Sequence, residues 1–221
     1  MNNIIIVVKV KNMIEIRTCI SQDIHSNTFL IVDKETKEAA VIDPSREPSV
    51  FGVDLSDIKI RYVLLTHGHF DHMFKLDDYV REYGPAAYVH YLDEPLLSDA
   101  TRNCSALFMP RGLVWNTPVR TFKDRDCFYI GDTEIKVMHT PGHTEGSVCF
   151  LCGDAMFCGD TLFYGSVGRT DFSGGSMPTL LKSLEKLKNI TTDYTVHTGH
   201  GSQTTLDREK KYNAYMLYSN I

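Results

Sequence analysis

The chain has 221 residues, of which 43% are hydrophobic and 23% charged, and its formal net charge is −5 at pH 7. These values are typical of one soluble domain with a substantial core. The negative charge and the lack of a basic cluster argue against a nucleic-acid partner. No segment approaches the roughly 20 apolar residues of a membrane-spanning helix, so we expect no membrane partner either.

The N-terminal segment contains a short apolar run at residues 4–8, which Lys9 follows. Five residues are too few for the core of a signal peptide, which takes roughly 7–15, and no small-residue cleavage site follows. We predict an extension over residues 1–12, as either an additional edge strand or a disordered segment. A single domain is predicted over residues 13–221.

Apolar periodicity predicts strands and helices in two similar halves. The first half has strands at residues 13–19, 28–32, 39–42, 62–65 and 86–90, a helix at 73–83 and a helical insertion at 94–98. The second half has strands at residues 127–130, 134–138, 147–152 and 155–158, and helices at 178–187 and from 206 to about 217. This order predicts two sheets packed face to face with helices outside. Residues 46–60 remain unassigned.

The six cysteines are interpreted as free thiols, which favours a reducing compartment and a cytoplasmic location. Cys149 and Cys152 have the spacing of a redox or zinc motif. They lie in a predicted strand, however, where residues three apart point to opposite faces, so we predict two separately packed thiols. Cys158 is also predicted to pack in the core.

Residues 66–72 read THGHFDH and directly follow an apolar strand. Three imidazoles and a carboxylate this close together are energetically unfavourable unless a cation binds between them. These side chains are ligands that suit zinc, iron or manganese. His67 and His69 can face the same way from an extended backbone, whereas the adjacent Asp71 and His72 diverge, which suits a second metal. The alternative is a polar loop that is rich in histidine by chance.

Three later segments repeat this arrangement of a strand followed by a ligand. His143 lies in TPGHT, Asp160 in GDT and His200 in TGHG, each with a glycine beside it that lets the backbone bend. Four strand ends that deliver histidine or aspartate to one edge predict a preorganised metal pocket.

Together, the THGHFDH, PGHT, GDTLF and GHG motifs resemble the metallo-β-lactamase superfamily, and most closely its glyoxalase II-like thioester hydrolases, over residues 14 to about 212. The resemblance implies an α/β fold, a four-layer αββα sandwich. It also implies two divalent metal ions, with zinc expected and iron or manganese as alternatives. The implied ligands are His67, His69 and His143 for one metal, Asp71, His72 and His200 for the other, and Asp160 as a bridge between both.

The resemblance implies hydrolysis of a small acyl thioester by a hydroxide that bridges the metals. Bound zinc lowers the pKa of its water from about 16 to about 7. Asp71 is the candidate catalytic residue, since its second oxygen can orient the nucleophile or take its proton. The first alternative is a persulfide dioxygenase with one iron held by His67, His143 and Asp160. The second is a metal-stabilised binding module without turnover.

The candidate substrate contacts are Arg169 and Tyr164, which follow the bridging aspartate. Full-length glyoxalase II enzymes carry a lysine where this chain has Arg169, and a tyrosine where it has Asp171. Arg169 could clamp an anionic acyl thioester by bidentate pairing, or brace the loop by a salt bridge to Asp171. Only 21 residues follow His200, so a helical extension that recognises glutathione is not supported. The sequence leaves open whether the chain forms a homo-oligomer.

Four histidines remain outside the predicted ligand set: His25, His90, His139 and His197. We expect each to be a hydrogen-bonded structural residue or to orient a ligand. His139 is the best candidate for orienting a ligand, because metal-bound imidazoles usually donate their other N–H to a fixed acceptor nearby.

Overall fold

The computed structural model describes residues 4–10, 13–20, 23–24 and 26–217. Its strands are β1 (Ile4–Val10), β2 (Ile14–Ile20), β3 (Thr28–Asp33), β4 (Glu38–Ile42), β5 (Lys59–Leu64), β6 (Ala86–His90), β7 (Val119–Phe122), β8 (Cys127–Ile130), β9 (Thr133–His139), β10 (Val148–Cys152), β11 (Ala155–Gly159), β12 (Leu162–Phe163), β13 (Ser166–Val167), β14 (Thr195–Thr198) and β15 (Thr204–Thr205). Its α-helices are α1 (Leu76–Tyr83), α2 (Ser105–Phe108), α3 (Met177–Lys188), α4 (Leu206–Tyr212) and α5 (Ala214–Leu217).

The strands form two large sheets, one from each half of the chain. The first sheet has the order β1-β2-β3-β4-β5-β6-β7, and the second has the order β15-β14-β11-β10-β9-β8. Neighbouring strands run antiparallel from β1 to β4 and parallel from β4 to β7. Residues 4–10 are therefore an edge strand, one of the two predicted alternatives. The predicted boundary after residue 12 falls outside the described residues.

Three apolar clusters fill the spaces between the two sheets and between each sheet and its helices. The cluster between the sheets contains Ile16, Phe29 and Phe150, whereas the outer face of the first sheet packs Leu30 against helix α1. Helix α3 covers the second sheet with Leu180, Leu184 and Leu187. Successive residues of a strand point to opposite faces, so central strands buried on both sides are continuously apolar. Every residue of β3 is buried accordingly.

Cys149 and Cys152 confirm the predicted strand geometry. Cys149 packs on the helix side of the second sheet, and Cys152 packs in the cluster between the sheets. Cys158 is likewise buried in the helix-side cluster, as predicted. The C-x-x-C spacing therefore reflects a strand that is buried on both faces.

Two predicted helices differ from the observed ones. The first begins at Leu76 rather than residue 73, because Phe70–His72 forms a 3₁₀ turn that carries metal-ligand candidates. The last is broken at Asn213, whose side-chain amide donates to the Ser166 carbonyl and to Glu209 Oε2. This buried amide holds the C-terminal helices against the hairpin of β12 and β13.

The sequence patterns did not predict several of the shorter elements. The unassigned residues 46–60 contain a 3₁₀ turn at Pro48–Phe51, and the predicted insertion at 94–98 is a 3₁₀ turn at Glu94–Leu96. Strand β7 was not predicted. Within the described ranges, every helix is too short or too polar to cross a membrane.

Candidate metal centre

The three imidazoles of the first predicted ligand set face one another. His67 Nε2 lies 3.2 Å from His69 Nδ1, which lies 2.9 Å from His143 Nε2. The other nitrogen of His143 lies 2.7 Å from the Arg169 carbonyl. Because a carbonyl only accepts hydrogen bonds, His143 Nδ1 carries the proton and its Nε2 presents a lone pair to the cluster.

Burial keeps the imidazoles of His67 and His69 neutral. It lowers the pKa of His67 well below its ordinary value, and the neighbouring His72 and His143 lower it further. Burial and His143 lower the pKa of His69 to about 3. Neutral imidazole is the form that binds a metal, and lone pairs that face one another this closely need a cation between them.

The second predicted set is also assembled. His200 Nε2 lies 3.0 Å from Asp71 Oδ2, and His72 Nε2 lies 3.8 Å from the same oxygen. In each predicted set of three, one ligand atom per residue lies within 4.8 Å of the other two. The 3₁₀ turn at Phe70–His72 separates Asp71 and His72 from the preceding pair of histidines, so the two sets point to different positions.

Asp160 lies between the two sets. Its Oδ1 is 3.3 Å from His72 Nε2, and its Oδ2 is 3.5 Å from His143 Nε2 and 3.7 Å from His200 Nε2. Gly199 makes room for this carboxylate, because a Cβ at that position would lie 2.2 Å from Asp160 Oδ1. The structure thus brings all seven predicted ligand side chains to one place.

Both carboxylates stay ionised despite their burial. Burial alone would raise the pKa of Asp160, but His200 and His72 outweigh it and hold that pKa well below its usual range. For Asp71, burial is likewise outweighed by His72 and by the hydrogen bond from His200, so its pKa is lowered. Burial alone would lower the pKa values of His72 and His200, but the neighbouring carboxylates outweigh it and raise them. Carboxylates and imidazoles together form a donor set for divalent metals, and a metal that binds here would displace the protons of these two imidazoles.

Three buried atoms of the predicted ligands lack hydrogen-bond partners: His69 Nε2, His72 Nε2 and Asp160 Oδ1. His72 Nε2 and Asp160 Oδ1 make no hydrogen bond, although they lie 3.3 Å apart. A buried polar atom without a partner is costly unless another species satisfies it. The orphaned atoms and the donor set therefore fit a pair of divalent metal ions.

The sequence model of the metallo-β-lactamase superfamily matches residues 22–200 of the chain. The chain belongs to this superfamily. It is 31% identical over 196 residues to hydroxyacylglutathione hydrolase GloC of Haemophilus influenzae, covering 86% of this chain and 92% of the relative.

Two solved structures agree with this assignment and with the predicted α/β sandwich. The B3 metallo-β-lactamase BLEG-1 has a TM-score of 0.83 at 28% identity, covering 91% of this chain and 99% of that one. TTHA1623 in a di-iron-bound form has a TM-score of 0.75 at 31% identity, covering 90% and 98%. The centre described above is thus a His/Asp cluster suited to two metals on a metallo-β-lactamase fold.

Asp43, which the sequence motifs do not include, orients the candidate ligand His72. Asp43 Oδ2 accepts from His72 Nδ1 at 2.8 Å and from Thr66 Oγ1 at 2.7 Å, while Oδ1 accepts from Thr66 N at 2.8 Å. The carboxylate holds the proton on His72 Nδ1 and so leaves Nε2 to face the metal position. A signal was present, because Asp43 ends a predicted strand just as the ligands do.

Asp93 ties together two ligand loops and was missed too. Its carboxylate accepts from Gly68 N at 2.9 Å, Gly146 N at 2.7 Å and Thr144 Oγ1 at 2.7 Å. Burial raises the pKa of Asp93, and these hydrogen bonds oppose the rise. The contacts join residues that are 25 to 53 positions apart in sequence, so no local sequence pattern predicts them.

The remaining histidines lie away from the ligands. His139 Nε2 lies 2.9 Å from the Glu145 carbonyl, and its ring stacks on His90 at 4.3 Å. The orienting contacts expected of His139 are instead made by Asp43 and the Arg169 carbonyl. His197 is buried and stacks on Phe157 at 4.8 Å. His25 lies outside the described residues.

A cavity of about 480 Å³ opens beside the centre. Its wall combines the ligands with an apolar group: Ile24, Phe70, Phe108, Phe163, Val167 and Phe172. Arg169 also lines the cavity, whereas Tyr164 does not. The Tyr164 ring lies under the Arg208 guanidinium at 3.6 Å, so the structure places this predicted substrate contact outside the cavity wall.

Arg169 forms the internal salt bridge that the sequence left open as an alternative. Its Nε and Nη2 donate to the two oxygens of Asp171 at 2.6 and 2.7 Å. Its guanidinium also lies 3.9 Å from the centre of the Phe172 ring. The side chain lines the cavity with its charge already paired.

Proposed function

We propose that this protein is a two-metal hydrolase of a small acyl thioester, with zinc at both positions. The observation that carries the proposal is the presence of two complete ligand sets with Asp160 between them. The proposed ligands are His67, His69 and His143 for the first metal, Asp71, His72 and His200 for the second, and Asp160 for both. The similarity to a hydroxyacylglutathione hydrolase over most of both chains supports the thioester substrate.

When bound, the metal ions would make water nucleophilic near neutral pH and polarise the substrate carbonyl. Asp71 lines the cavity, is ionised, and lies 3.0 Å from His200 Nε2, a proposed ligand of the same metal. It can therefore orient the attacking water and take its proton. The carbon–oxygen bond forms as the carbon–sulfur bond breaks, and the proton passes to the sulfur of the leaving group. The products are a carboxylate and a thiol.

The single-iron alternative uses only part of this centre. A persulfide dioxygenase with iron on His67, His143 and Asp160 would leave Asp71, His72 and His200 without a role. These three are assembled as closely as the first set, which supports two metals. One iron per chain with oxygen consumption would favour the dioxygenase.

The proposed activity is tested with a panel of thioesters, with and without glutathione, on protein of measured metal content. We expect thiol release that a chelator abolishes and zinc restores. If protein that holds two metals per chain hydrolyses none of the thioesters, the proposed function is wrong.

We further propose a cytoplasmic location. All six cysteine thiols are free, and five of them are buried. Burial raises the pKa values of Cys149 and Cys152 to about 12, so these thiols stay protonated and unreactive. Alkylation of the unfolded, unreduced protein should modify six thiols per chain, whereas a disulfide would leave fewer.

A further inference from the structure

The cavity beside the metal centre offers a substrate no free cation. Arg169 is the only arginine or lysine among the described residues that line it, and the Nε–Nη2 edge of its guanidinium is engaged with both oxygens of Asp171. An anionic acyl group would have to compete with Asp171 for this guanidinium. Away from the metal positions, the wall therefore gives a negative charge little to replace its lost hydration.

Phenyl rings flank the metal centre on both sides. Phe172 meets His69 edge-on at 5.9 Å, and Phe163 meets His200 edge-on at 6.3 Å. One ring thus adjoins each proposed metal position. A substrate whose carbonyl reaches the centre must lay its neighbouring atoms against these rings, where apolar surface is stabilised by about 25 cal/mol per Å² buried.

The apolar wall continues to the mouth of the cavity. Phe108 stacks on Phe70 at 5.4 Å, yet 52% of its surface remains exposed, as does 49% of Ile24. The volume of about 480 Å³ accommodates a phenyl-sized group with its carbonyl. The open mouth lets the thiol carrier extend into solvent.

We propose that the cavity selects thioesters with an uncharged, apolar acyl group of aromatic or branched aliphatic type, whatever their thiol carrier. This inference rests on the proposed function and replaces the anionic substrate that the sequence suggested. Under this proposal Arg169 is a positioning residue. Its backbone carbonyl accepts a hydrogen bond from His143 Nδ1, and its guanidinium lies on the Phe172 ring, which in turn contacts the His69 ring.

The test compares phenylacetyl and succinyl thioesters of the same small thiol, N-acetylcysteamine. We expect kcat/KM to favour the phenylacetyl thioester by at least about tenfold, the selectivity that a hydrophobic pocket provides. Phe108→Ala should raise KM for the phenylacetyl thioester several-fold and raise the succinyl value much less. Leu107→Ala is the matched control, because Leu107 is the exposed neighbour and does not line the cavity.

Asp171→Asn separates the two interpretations of Arg169. The substitution releases the guanidinium, so we expect faster hydrolysis of the succinyl thioester and a smaller preference for phenylacetyl. A wild-type preference for the succinyl thioester, or equal rates for the two, would overturn the inference while leaving thioester hydrolysis intact.

Binding of ketone analogues separates this inference from the proposed function. The probes are 4-phenyl-2-butanone and 4-oxopentanoate, measured by calorimetry on the metal-loaded protein. Tighter binding of the phenyl ketone supports an apolar cavity even if no thioester is cleaved, in which case only the proposed reaction fails. Tighter binding of the anion contradicts the inference directly.

Discussion

The tautomer of His72 is set by a carboxylate that is distant in sequence. Asp43 accepts the Nδ1 proton of His72 and two hydrogen bonds from Thr66, all within a buried environment. Its φ of 50° lies in the left-handed region, which asparagine tolerates about as well as aspartate. Asp43→Asn therefore changes the charge and hydrogen bonding without adding backbone strain.

Asp43→Asn should lower metal affinity by about 10–100-fold, the usual cost of losing such an orienting partner. If the amide oxygen keeps the bond from Thr66 N, the NH₂ group takes the place of Oδ2 and faces both Thr66 Oγ1 and His72 Nδ1. The imidazole proton then shifts to Nε2, where it blocks the lone pair. The measurement is zinc titration against a competing chelator, with circular dichroism to check the fold. Unchanged affinity would show that Asp43 does not set the tautomer.

Asp71→Ala should abolish thioester hydrolysis and reduce the bound metal from two ions to one. The expected loss in kcat is at least about 10²–10⁴-fold, the contribution of a positioned base, because a ligand is lost as well. Steady-state kinetics and elemental analysis of the same samples give both values. Full activity in the variant would refute the role of Asp71.

Single residues differ in how far the sequence predicts them. The seven candidate ligands could be predicted because each follows a strand in a short motif rich in histidine, aspartate and glycine. Asp43 and Asp93 were missed because their partners lie 23 or more positions away. For Arg169 the sequence named both possible partners, and only the observed contacts with Asp171 and Phe172 decide between them.

Among the elements, the turn between β8 and β9 is held by acids from the first sheet. Asp33 accepts from Thr36 and from Thr133 Oγ1, and Glu38 accepts from Gly131 N at 3.1 Å. These contacts join the two sheets at the end of the interface. Burial would raise the pKa of Asp33, but hydrogen bonds from Thr36 and Thr133 outweigh it and lower that pKa.

Asp33→Asn should reduce the free energy of unfolding at pH 7 by about 1–3 kcal/mol, the value of hydrogen bonds to a buried charge. A depressed folded-state pKa stabilises the protein above the unfolded pKa of about 3.9, and this contribution is lost as the pH falls through the folded value. The difference between wild type and variant should therefore shrink near pH 3.

Urea unfolding of metal-free protein at pH 7 and about pH 3 measures this effect. Asp132→Asn, at an exposed position of the same turn, is the control and should change stability little at either pH. A penalty for Asp33→Asn that is equal at both pH values would rule out an electrostatic origin.

Strands were predicted better than helix ends. Short apolar runs that begin or end at glycine, proline or charged residues mark β6 and β8, and both match their predicted bounds. The start of α1 and the break at Asn213 depend on tertiary contacts: the ligand-bearing 3₁₀ turn in one case and the Ser166 carbonyl in the other. Such boundaries cannot be deduced from periodicity alone.

Across the whole molecule, the ligands come from both sheets. Four lie in residues 66–72 after β5, and three follow strands β9, β11 and β14 of the second sheet. Metal binding should therefore stabilise the entire domain. The recurring motifs at four strand ends are also why the sequence sufficed to predict the superfamily fold, whereas the character of the cavity wall depended on residues that only folding brings together.

Zinc at about 100 times its Kd should raise the free energy of unfolding by about 2.7 kcal/mol per site. Urea unfolding with and without zinc measures the increase, and a chelator should reverse it. Magnesium is the control ion, because it prefers oxygen ligands and should stabilise the protein little. Equal stability with zinc and with chelator would contradict a site that spans the two sheets.

The most direct examination of the proposed centre is the metal stoichiometry of protein that has been stripped with chelator and reloaded with zinc. Elemental analysis should find two zinc ions per chain in the wild type, with thioester hydrolysis returning as they bind. One ion or fewer per chain at saturation, or hydrolysis that persists without metal, would contradict the assignment of these seven side chains to a two-metal centre.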